Sequence, residues 1–291
     1  MTSPRRRVTV VTDSTSCLPT SLCQQWSIHV VPLTVAFGME VFHDGVNLTP
    51  QEFYQRLFAS ETLPVTSQPS VGAFRAAYAP LVEAGLSVVS IHLSAGVSGT
   101  VSSAQSAAQE FPDADIRVVD SGAVSMGFGW AALAAAKAAA EGQDASAVER
   151  VAQDVLRRSR LYIMLDTLDY LYKGGRIGKA SSLMGALLAI KPLITVDGPV
   201  VPLGKPRTRR AALEQLAQMA RAAAPFEQVA VVYTHDPALA HRLRDLVADV
   251  FDPQQVLCVD AGVVLGTYAG PGAAGIAFVA QQAPPTRPTA Q

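Results

Sequence analysis

The feature that most constrains this 291-residue chain is a repeated switch of hydrophobic period. Short apolar runs alternate with stretches whose apolar residues recur every three or four positions, which is strand followed by amphipathic helix. Val88-Val89-Ser90-Ile91-His92-Leu93 is the clearest strand, and Val101, Ala104, Ala108 and Phe111 behind it fall at helical spacing. The pattern begins with a strand over 7–11 that ends in Thr12-Asp13-Ser14-Thr15, then a helix over 18–26 and a second strand over 28–35. Thr49 and Ser70 are placed to cap helices, the first with Pro50 behind it. A strand over 116–119 and helices over 127–140 and 146–158 complete the first part. Such alternation specifies a mostly parallel sheet with helices on both faces.

A second unit opens with a strand over 161–165 and a short helix over 167–173 stopped by Gly174-Gly175. An apolar helix is expected over 180–190, with Leu183, Met184, Leu187 and Leu188 available to line or lid a cavity. Asp197-Gly198, between two β runs, is a hairpin signal. Strands and helices then alternate to a Gly-Pro-rich loop over 266–272 and a last strand over 275–279. The expected organisation is two α/β domains, 1–158 with a mostly parallel sheet and flanking helices and 159–281 with a mixed sheet. The Pro/Thr/Ala-rich tail over 282–291 has a disordered composition.

Composition excludes several classes. Hydrophobic residues make up 49% and charged residues 16%, enough for a large core. A net charge of −1 argues against non-specific nucleic-acid binding, and Arg5-Arg6-Arg7 reads as a solvated tail. No apolar stretch reaches the roughly 18–20 residues of a membrane span, and no secretory signal is evident. Cys17, Cys23 and Cys258 lack metal-ligand spacing and read as reduced thiols of a cytoplasmic protein.

The chemistry concentrates in Leu93-Ser94-Ala95-Gly96-Val97-Ser98-Gly99-Thr100. A strand feeding a glycine-containing loop and a helix start suits an anion, through free N–H groups and the hydroxyls of Ser94, Ser98 and Thr100. In the plainer reading, Ser98 only caps the helix. An enzyme acting on a phosphorylated small molecule would use the Ser-Gly-Thr loop with Asp13 or Asp120 as base, but no acid–base pair is evident beside it. A serine hydrolase would need a Gly-x-Ser-x-Gly elbow, and Gly96-Val97-Ser98-Gly99-Thr100 lacks the second glycine. His92 reads as a core histidine and His235 as a loop residue.

The motifs Thr12-Asp13-Ser14-Thr15, Thr66-Ser67-Gln68-Pro69, Leu93-Ser94 with Ser98-Gly99-Thr100, Asp120-Ser121, Gly175-Arg176-Ile177-Gly178, Lys191-Pro192, Arg207-Thr208 and Gly270-Pro271-Gly272 follow one another over most of the chain. In that order they resemble the DegV family, the fatty-acid-binding proteins of bacteria. The resemblance implies two α/β domains with a long-chain fatty acid between them and no cofactor, metal or catalytic residue. It also implies similarity to the binding subunit of a bacterial fatty acid kinase, which presents the acyl carboxylate to a separate ATP-dependent subunit for acyl phosphate formation, with peripheral membrane contact during lipid exchange. A sensor that binds the acid without serving a kinase is the third alternative. Carried over by motif, the carboxylate donors are Thr66 and Ser94, with Ser98 as an alternative. Tyr268 stands where relatives usually have His, so a neutral phenol replaces a titratable ring. Arg176 and Arg207 match positions that engage the kinase subunit.

Overall fold

The computed structural model describes residues 7–184 and 190–283. The chain opens with β1 (Val8–Asp13), α1 (Thr20–Gln25), β2 (Ile28–Val31), β3 (Thr34–Phe37) and β4 (Glu40–His43). Next come α2 (Pro50–Ala59), β5 (Val65–Ser67), α3 (Val71–Glu83), β6 (Ser87–His92), α4 (Thr100–Ala108) and β7 (Ile116–Asp120). Two long helices follow, α5 (Met126–Ala140) and α6 (Ala145–Arg158). The second half runs β8 (Ser159–Met164), α7 (Asp169–Lys173), β9 (Leu193–Val196), β10 (Val200–Gly204) and α8 (Arg209–Arg221). It ends with β11 (Phe226–Tyr233), α9 (Pro237–Leu246), β12 (Leu257–Asp260), α10 (Gly262–Ala269) and β13 (Ala274–Ala280).

Local chemistry sets many of these boundaries. Thr49 and Glu52 form a reciprocal capping box at α2, with Pro50 in the first turn. Ser70, Asp144 and Thr208 each accept an N–H in the first turn of α3, α6 and α8. Asp197-Gly198 turns the chain between antiparallel β9 and β10, with Gly198 at φ +70°.

The first sheet is parallel, in the order β2-β1-β6-β7. The second is mixed, in the order β10-β9-β8-β13-β11-β12, with β11 and β12 its parallel pair. A third, antiparallel sheet has the order β4-β3-β5. It corrects the reading of 28–35 as one strand. Pro32 has no N–H for a ladder, and there the chain leaves β2 of the parallel sheet to start β3 of the small one. A second correction concerns 266–272, read as a loop: residues up to Ala269 belong to α10. Of the helix expected over 180–190, the residues up to Leu183 belong to a 3-10 segment, Gly178–Leu183, and 185–189 lie outside the described residues. Leu187 and Leu188, and most of the expected tail, lie outside the described residues.

Phe74, Tyr78 and Leu81 of α3 and Ala104 and Ala107 of α4 cover one face of the parallel sheet, over Val11, Val31 and Val88. α5 and α6 cover the other face, over Val10, Val89 and Ile91. The same helical layer packs against Leu161, Ala230, Ala277 and Val279 of the mixed sheet, so one core spans both sheets. The outer face of the mixed sheet is covered by α8 and α9 through Leu213, Leu216, Leu239 and Leu243. Among the described residues no helix is long and apolar enough to cross a membrane.

The Ala/Gly composition of α5 follows from its position between two sheets. A Cβ on Gly129 would sit 2.5 Å from the Ser16 carbonyl oxygen, whereas one on Gly127 would sit 3.2 Å from the Leu161 side chain. Alanine is the better helix former by up to about 1 kcal/mol, so the two sites should separate packing from propensity. Gly129→Ala is expected to destabilise by about 1–3 kcal/mol, because backbone must move. Gly127→Ala is expected to stay within about 1 kcal/mol of wild type. Urea unfolding of both variants checks the difference.

Candidate functional site

The site begins at the carboxyl end of the parallel sheet, between β1 and β6, where the strand order reverses direction. Open α/β sheets leave a crevice at such a point. Asp13, at the end of β1, is fully buried and accepts hydrogen bonds from Thr15 N–H (3.0 Å), Thr15 Oγ1 (2.5 Å) and Leu93 N–H (3.0 Å). Its Oδ2 also lies 3.0 Å from His92 Nδ1, and His92 Nε2 lies 2.7 Å from Ser90 Oγ. Tyr78 donates to Ser90 at 2.8 Å. An Nδ1–H tautomer makes this a one-way chain, Tyr78 to Ser90 to His92 to Asp13, with each partner satisfied. The carboxylate–imidazole pair that the sequence did not reveal therefore stands directly behind the loop. All four side chains are buried and none lines the cavity described next.

Residues 93–98 then turn away from the sheet. The Ser94 hydroxyl donates to the Gly198 carbonyl at 2.7 Å and accepts from Gly96 N–H at 3.0 Å. Gly198 N–H donates to the Gly122 carbonyl, so the hairpin of the mixed sheet is held by two loops of the parallel sheet. A Cβ on Gly96 would come within 2.5 Å of Gly198 backbone, so this crossing requires glycine. Ser94 thus lies behind the loop. Ser98 faces the cavity, with its Oγ 2.9 Å from Thr100 Oγ1. The N-cap of α4 is Gly99, not Ser98.

Between the carboxyl ends of the parallel strands and the mixed sheet lies a cavity of about 320 Å³. Its wall is apolar: Leu33, Leu93 and Val97 from the first half face Ile163, Ile194 and Val232 from the second. Polar residues interrupt it: the hydroxyls of Ser125 and Thr234 are bonded to Cys17 Sγ and the Gly270 carbonyl, and Tyr233 also lines the cavity. Thr66, paired through β5 with Val35 of β3, places Oγ1 2.5 Å from the Tyr268 phenol oxygen. Ser67, Gln68 and Ser98 also line the cavity.

Tyr268 is held rigidly from several sides. α10 starts where Asp44 accepts from Val263 N–H at 3.1 Å and Asp260 from Gly262 N–H at 2.8 Å. Burial raises the pKa of both carboxyls, and these helix-start bonds pull the other way. The Tyr268 ring packs on Gly174, where a Cβ would meet it at 2.6 Å. The arrangement is reciprocal, because the Tyr170 ring of α7 packs on Gly270, which ends α10 at φ +69°. The Arg176 guanidinium covers the Tyr268 ring 5.1 Å from its centroid. Arg176 also donates from Nη1 to the Gly174 carbonyl at 3.0 Å and weakly from Nε to the Val97 carbonyl at 3.4 Å. Arg176 therefore lines the cavity, although its motif matches a position expected to engage a partner. Arg207 is exposed, outside the lining and without an ion pair among the described residues. The same residues show no group of three or more His, Cys, Asp or Glu side chains placed to hold a metal.

Fold and site together define a two-domain α/β protein with a largely apolar chamber between its sheets. The chain belongs to the DegV family, whose model, described as "uncharacterised protein, DegV family", matches residues 7–281. A DegV domain-containing protein of Streptomyces coelicolor is 38% identical over 280 residues, 93% of this chain and 98% of its own length. A solved DegV family protein from Thermus thermophilus, described by its fatty acid binding, is 35% identical with a TM-score of 0.88, over 94% of this chain and 99% of its own. A stearic acid-binding protein from Eubacterium ventriosum is 26% identical with a TM-score of 0.85, over 94% and 98%.

The Gly-Pro-Gly loop behind Tyr268 rests on an ion cluster. Asp166 accepts from Lys191 Nζ at 2.6 Å and from Arg209 Nε at 2.8 Å, and Arg209 lies beside Gly272. Burial opposes ionisation of Asp166, but the two cations win and its pKa is lowered below 3.8. Its stabilising contribution is thus fully present above that ordinary value and is lost as pH falls through the lowered one. Asp166→Asn is expected to cost about 1 kcal/mol at pH 7. The gap to wild type should close on acidification below 3.8, which urea titrations across pH measure.

Proposed function

We propose that the protein binds a long-chain fatty acid in this chamber, carboxyl group at the Thr66–Tyr268 end, and presents it to a separate ATP-dependent kinase subunit for acyl phosphate formation. One observation carries the reading: a chamber of about 320 Å³ with a largely apolar lining, into which the Thr66–Tyr268 hydroxyl pair is set. Each buried CH₂ gains roughly 0.8 kcal/mol, so a chain of ~16 carbons gains on the order of 10 kcal/mol before ordering costs. The carboxyl group cannot be buried unpaired, and Thr66, Tyr268 and Ser98 supply hydroxyl donors. Ser94, whose hydroxyl is engaged with Gly198, acts by holding the loop in place. The fatty acid binding ascribed to the Thermus thermophilus protein, on the same fold, supports the assignment. A phosphorylated substrate would meet one cation, Arg176, among the described lining residues.

The partner surface is read from exposed cations. Arg207 offers a solvated guanidinium able to pair bidentately with a carboxylate or phosphate. Lipid exchange is proposed to occur by peripheral contact with a membrane. The outer face of the small sheet supports this, because Val41, Ala36 and Val65 lie in register across it and Val65 is 67% exposed beside Thr66.

Denaturing extraction of the purified protein and mass spectrometry should recover a fatty acid in near-stoichiometric amount. The double variant Thr66→Val/Tyr268→Phe should fold and lose most of it; undiminished lipid would remove the head-group assignment. Arg207→Ala should keep its lipid while acyl phosphate formation with the cognate kinase falls at least about tenfold, the loss of one charge-assisted pair. Unchanged turnover would remove the docking role.

A further inference from the structure

The chamber binds its polar end with almost no charge. Among the described lining residues Arg176 is the one formally charged side chain; no Asp, Glu, Lys or His joins it. Arg176 is exposed, stacked on the Tyr268 ring and engaged with the carbonyls of Gly174 and Val97. A guanidinium in contact with water is screened, and exposed pairs of this kind gain little. The other polar residues of the lining are neutral: the Thr66–Tyr268 hydroxyl pair, Ser67, Gln68, Ser98, Ser125, Tyr233 and Thr234.

A neutral set differs from a cationic clamp in kind. Arginine, lysine and protonated histidine only donate, so they select an acceptor that carries negative charge. Hydroxyls donate and accept, and the Thr66–Tyr268 bond already shows one of the two doing each. An ionised carboxylate entering this site loses its hydration and regains neutral donors, an incomplete exchange for an ion. A primary amide of the same shape loses less, and its NH₂ finds acceptor oxygens on the same two side chains.

We infer that the site recognises the carboxyl group by its hydrogen-bonding shape rather than by its charge, so that uncharged isosteric lipids, fatty primary amides first among them, are ligands beside the acid. The inference rests on the fatty-acid reading above and extends its ligand class.

The test uses the full-length protein stripped of lipid and loaded with fluorescent cis-parinaric acid at pH 8. Tetradecanoic acid and tetradecanamide, equal in chain length, then compete for the chamber. The expected result is displacement by both, with apparent Kd values within about tenfold of each other. Arg176→Gln should change that ratio by less than about fivefold. A larger preference for the acid overturns the inference, and its collapse in Arg176→Gln would make Arg176 the counter-ion. A probe displaced by the acid alone sinks only this inference, whereas a folded protein that never takes up the probe sinks the fatty-acid reading with it.

Discussion

The arrangement of this molecule depends on one buried carboxylate. Asp13 sits at the end of the central parallel strand, out of reach of water, and survives there because four donors converge on it. An ion at that depth without partners would cost several kcal/mol, so the donors are obligatory. One of them, the Leu93 N–H, fixes the departure of residues 93–98 from β6, two from Thr15 fix the turn after β1, and His92 ties the same point to α3 through Ser90 and Tyr78. The wall of the chamber starts where the parallel sheet would otherwise splay open.

From that point polarity is distributed in a graded way. Hydrogen bonds among Asp13, His92, Ser90 and Tyr78 are closed off inside the first domain. The Ser94 hydroxyl and the Gly198 N–H join the domains, each through a backbone carbonyl. The Thr66–Tyr268 hydroxyl pair, by contrast, lines the chamber. Reactive-looking side chains are thus spent on structure, and the exposed chemistry of the chamber is confined to neutral groups and one stacked arginine.

Much of the fold was legible because its signals are local. The switch of period gave the parallel sheet, and Thr49, Ser70 and Asp197-Gly198 marked boundaries that depend on a few neighbouring residues. Signals that depend on distant partners were not legible. Pro32 divides an apolar run whose two halves enter different sheets. Gly266 looked like loop, yet it is helical, and a side chain there would strike the Tyr54 hydroxyl at 2.7 Å. At the site, Thr66, Ser98 and Tyr268 were named from motifs and do converge on the chamber. Ser94 faces the other way because its acceptor is more than 100 residues distant, and Arg176 reaches the lining because the loop after α7 folds over Tyr268. The Asp13–His92 pair spans 79 residues, a separation that leaves no periodic trace.

The helical layer formed by α5 and α6 has a mechanical consequence. Because both sheets rest on the same two helices, the halves of the molecule are built on a common spine rather than joined by a hinge. Swinging them apart would expose this shared apolar core to water, at a cost that grows with every square ångström opened. The chamber therefore behaves as a room with a fixed frame. The lighter pieces along its rim are the short β5 strand and the glycine-bounded turn that carries Arg176.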